Sequence, residues 1–202
     1  MALQPIELDV DRLRCDIQAK YAEVATSPDK GFHFHTGRKA LSIIGYPREW
    51  LQDLPESVLE SFAGVANPFS VGQPEPGAVV MDLGCGAGFD TLLAARMVGP
   101  DGRAIGVDMT QEMLDKATAN ARQIEATNAG FRHGLAEELP LADASVDYVI
   151  SNGVLNLIYD KEGVFREIYR VLRPGGRALI ADVVLDKPVS ADSKKNIDVW
   201  TG

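Results

Sequence analysis

The stretch MDLGCGAGFD, residues 81–90, places a carboxylate, Asp82, two residues ahead of three alternating glycines, Gly84, Gly86 and Gly88. Glycine has no Cβ, so such a stretch turns tightly and brings its backbone close to a ligand that a side chain would exclude. Twenty residues after Gly88, the apolar run RAIGVD ends in Asp108, where a carboxylate accepts hydrogen bonds from both hydroxyls of a ribose. The GxGxG spacing differs from the GxGxxG of dinucleotide sites, and an acidic residue just ahead of it repels a phosphate but suits an ammonium group. S-adenosylmethionine carries an amino-acid head and a sulfonium and no phosphate, so this pattern favours it over NAD. Met109 and Met113, one helical turn apart, are expected against the adenine, although Met113 reads equally well as plain core. The competing readings are a tight strand-to-helix turn without a ligand and, for Asp108, charge compensation at a helix N-terminus.

These residues need a strand, a turn and a helix to hold them, and the sequence supplies that order. AVVMDL reads as a strand and DTLLAARMV as a helix, followed by the strand RAIGVD and the helix TQEMLDKATANARQIEA with Thr110 as N-cap. GFRHG and VDYVIS are the third and fourth strands. A helix then runs through KEGVFREIYRVL until RPGG stops it, and the strand RALIADVVL and the start of a helix at SADSKKNIDVW come next. Strand and helix alternate five times, which predicts an α/β fold: a Rossmann-like, doubly wound, mostly parallel sheet with helices on both faces. No strand is found beyond the one that starts near Arg177, so the C-terminal strands of such a sheet are expected to be missing. Either the protein is shortened there or a second copy in a homodimer covers the apolar edge.

Ahead of this pattern, residues 7–25 carry Leu8, Leu13, Ile17, Tyr21 and Val24 on one helical face. TSPDKGFHFHTGRKA reads as an ordered loop. Residues 47–63 read as helical pieces broken by Pro47 and Pro55, and the proline-rich NPFSVGQPEPG closes the segment. The expected organisation is therefore a helical extension and lid over residues 1–75 and a cofactor-binding domain over 76–202.

The formal net charge of -9 disfavours nucleic acid and anionic lipid as partners. The N-terminus has neither the basic nor the apolar character of a targeting peptide, and no apolar run approaches the ~18 residues of a membrane span, so a cytoplasmic protein is expected. Cys15 and Cys85 stand alone in sequence, without the spacing of a disulfide framework or a zinc site, and no metal is expected.

In the glycine loop, in Asp82 and in Asp108 the chain resembles the class I S-adenosylmethionine-dependent methyltransferases over about residues 75–186. Relatives often carry G-D-A-E-x-L-P after the third strand, with adenine contacts from the aspartate and the next backbone N–H. This chain has GLAEELP, so the resemblance implies backbone contact at Ala136, with Glu137 as the substitute carboxylate; both glutamates read equally well as a solvated turn. It also places Ser151 and Asn152, from VISNGVLNLI, beside the methionine moiety, with Asn152 holding substrate or head group or else capping the following turn. Cys85, inside the loop, is expected to pack tightly.

The stretches SNGVLNLIYDKEGVFREIYRVLRPGG, AGVANP and ADVVLDKP resemble the arsenite methyltransferase branch. Those enzymes bind trivalent arsenic through cysteine thiolates, which a soft thiophilic centre prefers. Where the relatives have cysteines this chain has Val65 and Gly153, and their further cysteine would follow Gly202. A different, small-molecule acceptor is therefore expected. In FHFHTGR, the residues Phe32, His33, Phe34, His35 and Arg38 are expected in a lid, as is Tyr21, since the N-terminal segment of similar enzymes covers the cofactor; an ordered loop packed on the domain is the alternative. His33 or His35 would serve as general base for a hydroxyl acceptor. Methyl transfer from a sulfonium needs positioning and desolvation more than acid or base, so no catalytic side chain is required. The product would be S-adenosylhomocysteine. The alternatives are a non-catalytic S-adenosylmethionine-binding or scaffold protein and an NAD-dependent oxidoreductase.

Overall fold

Leu13, Ile17 and Val24 are buried along one face of α1 (Val10–Thr26), whose N-terminus is closed by the Asp9 carboxylate accepting from the Arg12 N–H at 2.9 Å. The computed structural model describes residues 9–184 and 186, so Leu8 lies outside the described residues. The segment expected as a loop is one only as far as Thr36, with a 3₁₀ turn at Pro28–Lys30; a helix, α2 (Gly37–Ile44), then begins. Gly37, inside the stretch expected as a loop, serves close approach: it has φ +60°, a Cβ there would meet the Glu60 carbonyl oxygen at 2.9 Å, and its N–H donates to Phe62 O at 2.7 Å. The two prolines act as expected, each standing just before a short helix, α3 (Arg48–Leu51) and α4 (Glu56–Leu59).

The sheet contains β1 (Val79–Leu83), β2 (Arg103–Asp108), β3 (Ala129–His133), β4 (Val146–Asn152) and β5 (Leu172–Ala181) in the order β3-β2-β1-β4-β5, with every pairing parallel. Parallel neighbours require crossovers, supplied by α5 (Phe89–Val98), α6 (Gln111–Gln123) and α7 (Lys161–Val171). Side chains alternate along β1: Val80 faces the core that holds Leu92 and Leu93 of α5, whereas Met81 and Leu83 face Val164, Ile168 and Val171 of α7. Both faces are thus covered, which is why these strands read as nearly continuous apolar runs. Tyr46, Leu54, Val58, Leu59 and Phe62 of the N-terminal segment join the α5 side of this core.

Two boundaries differ from the sequence expectation. RPGG does not separate helix from strand, because Leu172 already pairs with Val146 while Arg177 pairs with Tyr148, leaving residues 173–176 as an irregularity inside β5. The strand expected to reach residue 185 ends at Ala181. The helix expected from residue 190 lies outside the described residues. Among the described residues no helix is long and apolar enough to cross a membrane.

Candidate cofactor site

β1 continues to β2 on one side and neighbours β4 on the other, so a crevice opens at the carboxyl ends of these strands, the topological switch point. The crevice is lined by the glycine loop, the ends of β2 and β4, residues 134–137, loop 61–64 and the inner face of α1. Gly84, Gly86 and Gly88 have φ of +66°, +51° and +89°, in the left-handed region that a Cβ opposes. At Gly84 a Cβ would lie 2.5 Å from Val154 Cγ2.

Asp82, Gly84, Cys85, Gly86, Asp108, Met109, Met113, Ala136, Glu137, Asn152 and Tyr21 all line the crevice. Gly88 does not; a Cβ on it would stand 3.0 Å from Ala117 Cβ and Phe131 Cζ, so its lack of side chain lets α5 pack against α6 and β3. Ser151 is fully buried outside the lining, and its Oγ has no hydrogen-bond partner among the described residues. Cys85 is buried, and a Cβ on Gly106 would meet its Sγ at 2.7 Å, the tight packing the sequence suggested. Burial pushes its thiol well up, which keeps it protonated and unreactive. His33 and His35 are exposed and outside the lining. His33 makes an edge contact with Phe34, which stacks on Phe32 and Tyr21 behind the crevice wall. Burial, with Asp108 and Asp182 nearby, pushes the Tyr21 phenol up to about 12, so at neutral pH it is a donor rather than a base.

Asp108 accepts from the Gly86 N–H at 2.9 Å through Oδ2 and from the Thr110 N–H at 2.8 Å through Oδ1. The carboxylate therefore fixes the glycine loop and closes the start of α6, where the Thr110 side chain makes no cap bond. Each of its oxygens retains a lone-pair direction. Burial raises its pKa, opposed by these hydrogen bonds. Asp82 accepts from the Thr91 hydroxyl at 2.6 Å, and burial, reinforced by Asp90, raises its pKa well above the ordinary value.

Four residues that sequence reasoning missed complete the site. Asp90 accepts from the Tyr46 hydroxyl at 2.6 Å and from Asn152 Nδ2 at 2.9 Å, and burial pushes its pKa up to about 6. Arg14 reaches Glu137 at 3.3 Å, and Gln18 Nε2 donates to Met109 O at 2.9 Å, which fastens α1 over the crevice. The one available signal was Asp90 itself, a carboxylate in the first turn after the glycine loop, which helix-dipole preference alone explains.

The donor set fits S-adenosylmethionine. Two buried carboxylates without ion-pair partners among the described residues suit an ammonium, and Asp108 suits a diol. The cationic side chain lining the crevice, Arg14, is paired with Glu137, and Asp90 occupies the helix turn where a pyrophosphate would dock.

A family model described as "Methyltransferase domain" matches residues 74–202. An arsenite methyltransferase of Halobacterium salinarum is 52% identical over 139 residues, covering 69% of this chain and 36% of that protein. A demethylmenaquinone methyltransferase of Listeria welshimeri is 33% identical over 126 residues, covering 62% and 50%. Among solved structures, an arsenic(III) S-adenosylmethionine methyltransferase of Chlamydomonas reinhardtii superposes with a TM-score of 0.67 at 39% identity, over 73% of this chain and 52% of that one. The chain thus spans half or less of the length of these two curated relatives. Sheet order, glycine loop and family match agree, and the chain belongs to the class I S-adenosylmethionine-dependent methyltransferases, close to the arsenite methyltransferase branch.

Proposed function

We propose that this chain is a cytoplasmic methyl-transfer domain acting on a small organic acceptor, with a helical extension and lid over residues 1–75. The observation that carries this reading is the convergence of Asp82, the glycine loop and Asp108 on one crevice under α1. When bound, S-adenosylmethionine supplies an electrophilic methyl on a sulfonium. Asp82 would hold the ammonium, Asp108 the ribose hydroxyls, and Met109, Met113 and the Ala136 backbone the adenine, with Glu137 as the nearby carboxylate. Leu13, Ile17 and Tyr21 of α1 line the crevice and would exclude water once the cofactor fills it, and the Tyr21 hydroxyl remains a donor there. No side chain in the crevice is required as base, since in-line displacement depends on placement and desolvation.

Arsenite is disfavoured as acceptor because Val65 and Gly153 face each other directly: a Cβ on Gly153 would meet Val65 Cγ1 at 3.0 Å. Two positions that would present paired thiols in the resembling enzymes present a valine and a bare backbone here. The demethylmenaquinone methyltransferase similarity favours quinol and phenol acceptors. The test is S-adenosylhomocysteine formation over a panel of quinols, phenols and arsenite with glutathione. Turnover of an organic acceptor with arsenite inert supports the reading; turnover of arsenite alone overturns it. Tight cofactor binding with no turnover on any acceptor indicates the non-catalytic alternative.

A further inference from the structure

Asp90 and Asn152 form a buried connection between two walls of the crevice. Asp90 follows the glycine loop directly, in the first turn of α5, and Asn152 ends β4. The Asn152 amide is fully engaged. Its Nδ2 donates to Asp90 Oδ2 at 2.9 Å and to Ala66 O at 2.8 Å, and its Oδ1 accepts from the Val65 N–H at 2.8 Å and the Ala66 N–H at 3.2 Å. Tyr46, packed among Trp50, Phe62 and Phe89, donates to the other Asp90 oxygen. Loop 62–66 sits so closely on this amide that a Cβ on Gly64 would lie 2.3 Å from Asn152 Nδ2.

We propose that Asp90 is a positioning residue which, through Asn152, ties loop 62–66 to the glycine loop, so that cofactor occupancy and the placement of this wall are coupled. The coupling rests on the reading that the crevice holds S-adenosylmethionine. A proton on Asp90 Oδ2 sets donor against the Asn152 amide. A proton on Oδ1 is accommodated only if the Tyr46 hydroxyl turns to accept it and donates instead to Ala66 O, 3.4 Å away, so either site of protonation changes the contacts of loop 62–66. The titratable groups facing Asp90 are Asp82 on β1 and Tyr46 after α2, with Asp108 of β2 acting on Asp82; among the described residues neither Asp82 nor Asp90 is ion-paired. An ammonium arriving at Asp82 favours the ionised carboxylates and therefore the tied loop. By linkage, the ionised, tied state binds that ammonium more tightly.

The Val65 and Ala66 amides report the state of the tie directly, because both donate to Asn152 Oδ1. In ¹⁵N spectra of the cofactor-free protein these two resonances should titrate with a midpoint near 6. Tyr46→Phe should fold, since its ring contacts remain, and should raise the midpoint by removing a hydrogen bond to the carboxylate. Asp90→Asn should abolish the titration. At pH 5.5, S-adenosylmethionine and S-adenosylhomocysteine should both drive the resonances to their high-pH positions, whereas 5′-methylthioadenosine, which lacks the ammonium, should bind without doing so. A midpoint lowered by one unit corresponds to about tenfold tighter cofactor binding in the ionised state. Amides that stay flat from pH 5 to 8 overturn the proposal, as do amides that ignore a cofactor shown by calorimetry to be bound. Absence of cofactor binding would instead count against the crevice assignment, and the pH titration of the free protein would still decide the role of Asp90.

Discussion

Replacing Asp108 with alanine removes a carboxylate that lines the crevice, whose two oxygens hold Gly86 and Thr110 at 2.9 and 2.8 Å and keep further lone pairs for a ligand. If those lone pairs accept two ribose hydroxyls, the variant loses two hydrogen bonds to a charged acceptor, at about 1.5–3 kcal/mol each. The sum, about 3–6 kcal/mol, weakens S-adenosylmethionine binding by roughly two to four orders of magnitude. Stability should fall less, because Gly86 and Thr110 line the crevice, so in the cofactor-free protein water can reach the amides that lose their acceptor. Asp108→Asn is the finer probe: its amide keeps one acceptor and turns a donor toward either the Gly86 or the Thr110 N–H, so it should lose affinity nearly as far. Isothermal calorimetry with S-adenosylmethionine near pH 7.5, beside thermal melts of each variant, separates binding from folding. A folded Asp108→Ala protein that binds within threefold of wild type refutes the placement of the ribose.

The glycines should separate by role. Gly84→Ala, 2.5 Å from Val154 and at positive φ, should weaken cofactor binding at least tenfold, whereas Gly88→Ala, crowding Ala117 and Phe131, should mainly lower the melting temperature, by the several degrees that about 1–3 kcal/mol implies. The raised pKa of Asp90 means that between about pH 4 and 6 the folded chain holds a proton that the unfolded chain has released. Asp90 should therefore contribute a loss of about 2–3 kcal/mol of stability in the cofactor-free protein as pH rises through that window, and urea melts of Asp90→Asn should show a shallower slope, with the remainder coming from the raised Asp82 and Asp108. Glu167, held below the ordinary carboxylate range chiefly by Arg170, has the opposite sign: its stability is present above the unfolded pKa and is lost only as pH falls below about 4. Arg14→Ala should speed cofactor release a few-fold in stopped-flow measurements while leaving the fold intact, since Gln18 still holds α1 to Met109.

The sheet was legible because parallel strands buried on both faces announce themselves as apolar runs, and the short spacing from β1 to Asp108 is local. Gly84 and Gly86 could be placed for the same reason: a strand-turn-helix leaves little freedom within ten residues. Gly88 shows the limit of that logic, since its neighbours Ala117 and Phe131 come from elements further along the chain. The Tyr46–Asp90–Asn152 connection joins residues 44 and 62 positions apart, and nothing in local pattern predicts that an asparagine able to bind a ligand engages its amide with a loop and a buried carboxylate. Helix α2 escaped notice because its first glycine serves a tertiary contact with Glu60 that resembles, in sequence, a turn. His33 and His35 looked chemical by composition, but only the packed structure shows them facing outward while Tyr21 faces in.

Calorimetric titration of the purified chain with S-adenosylmethionine and with NAD under identical conditions tests the central claim most directly. The carboxylate-rich crevice predicts a dissociation constant tighter than about 100 μM, or ~5.5 kcal/mol, for S-adenosylmethionine and no detectable heat from NAD. Binding of NAD without S-adenosylmethionine would contradict it.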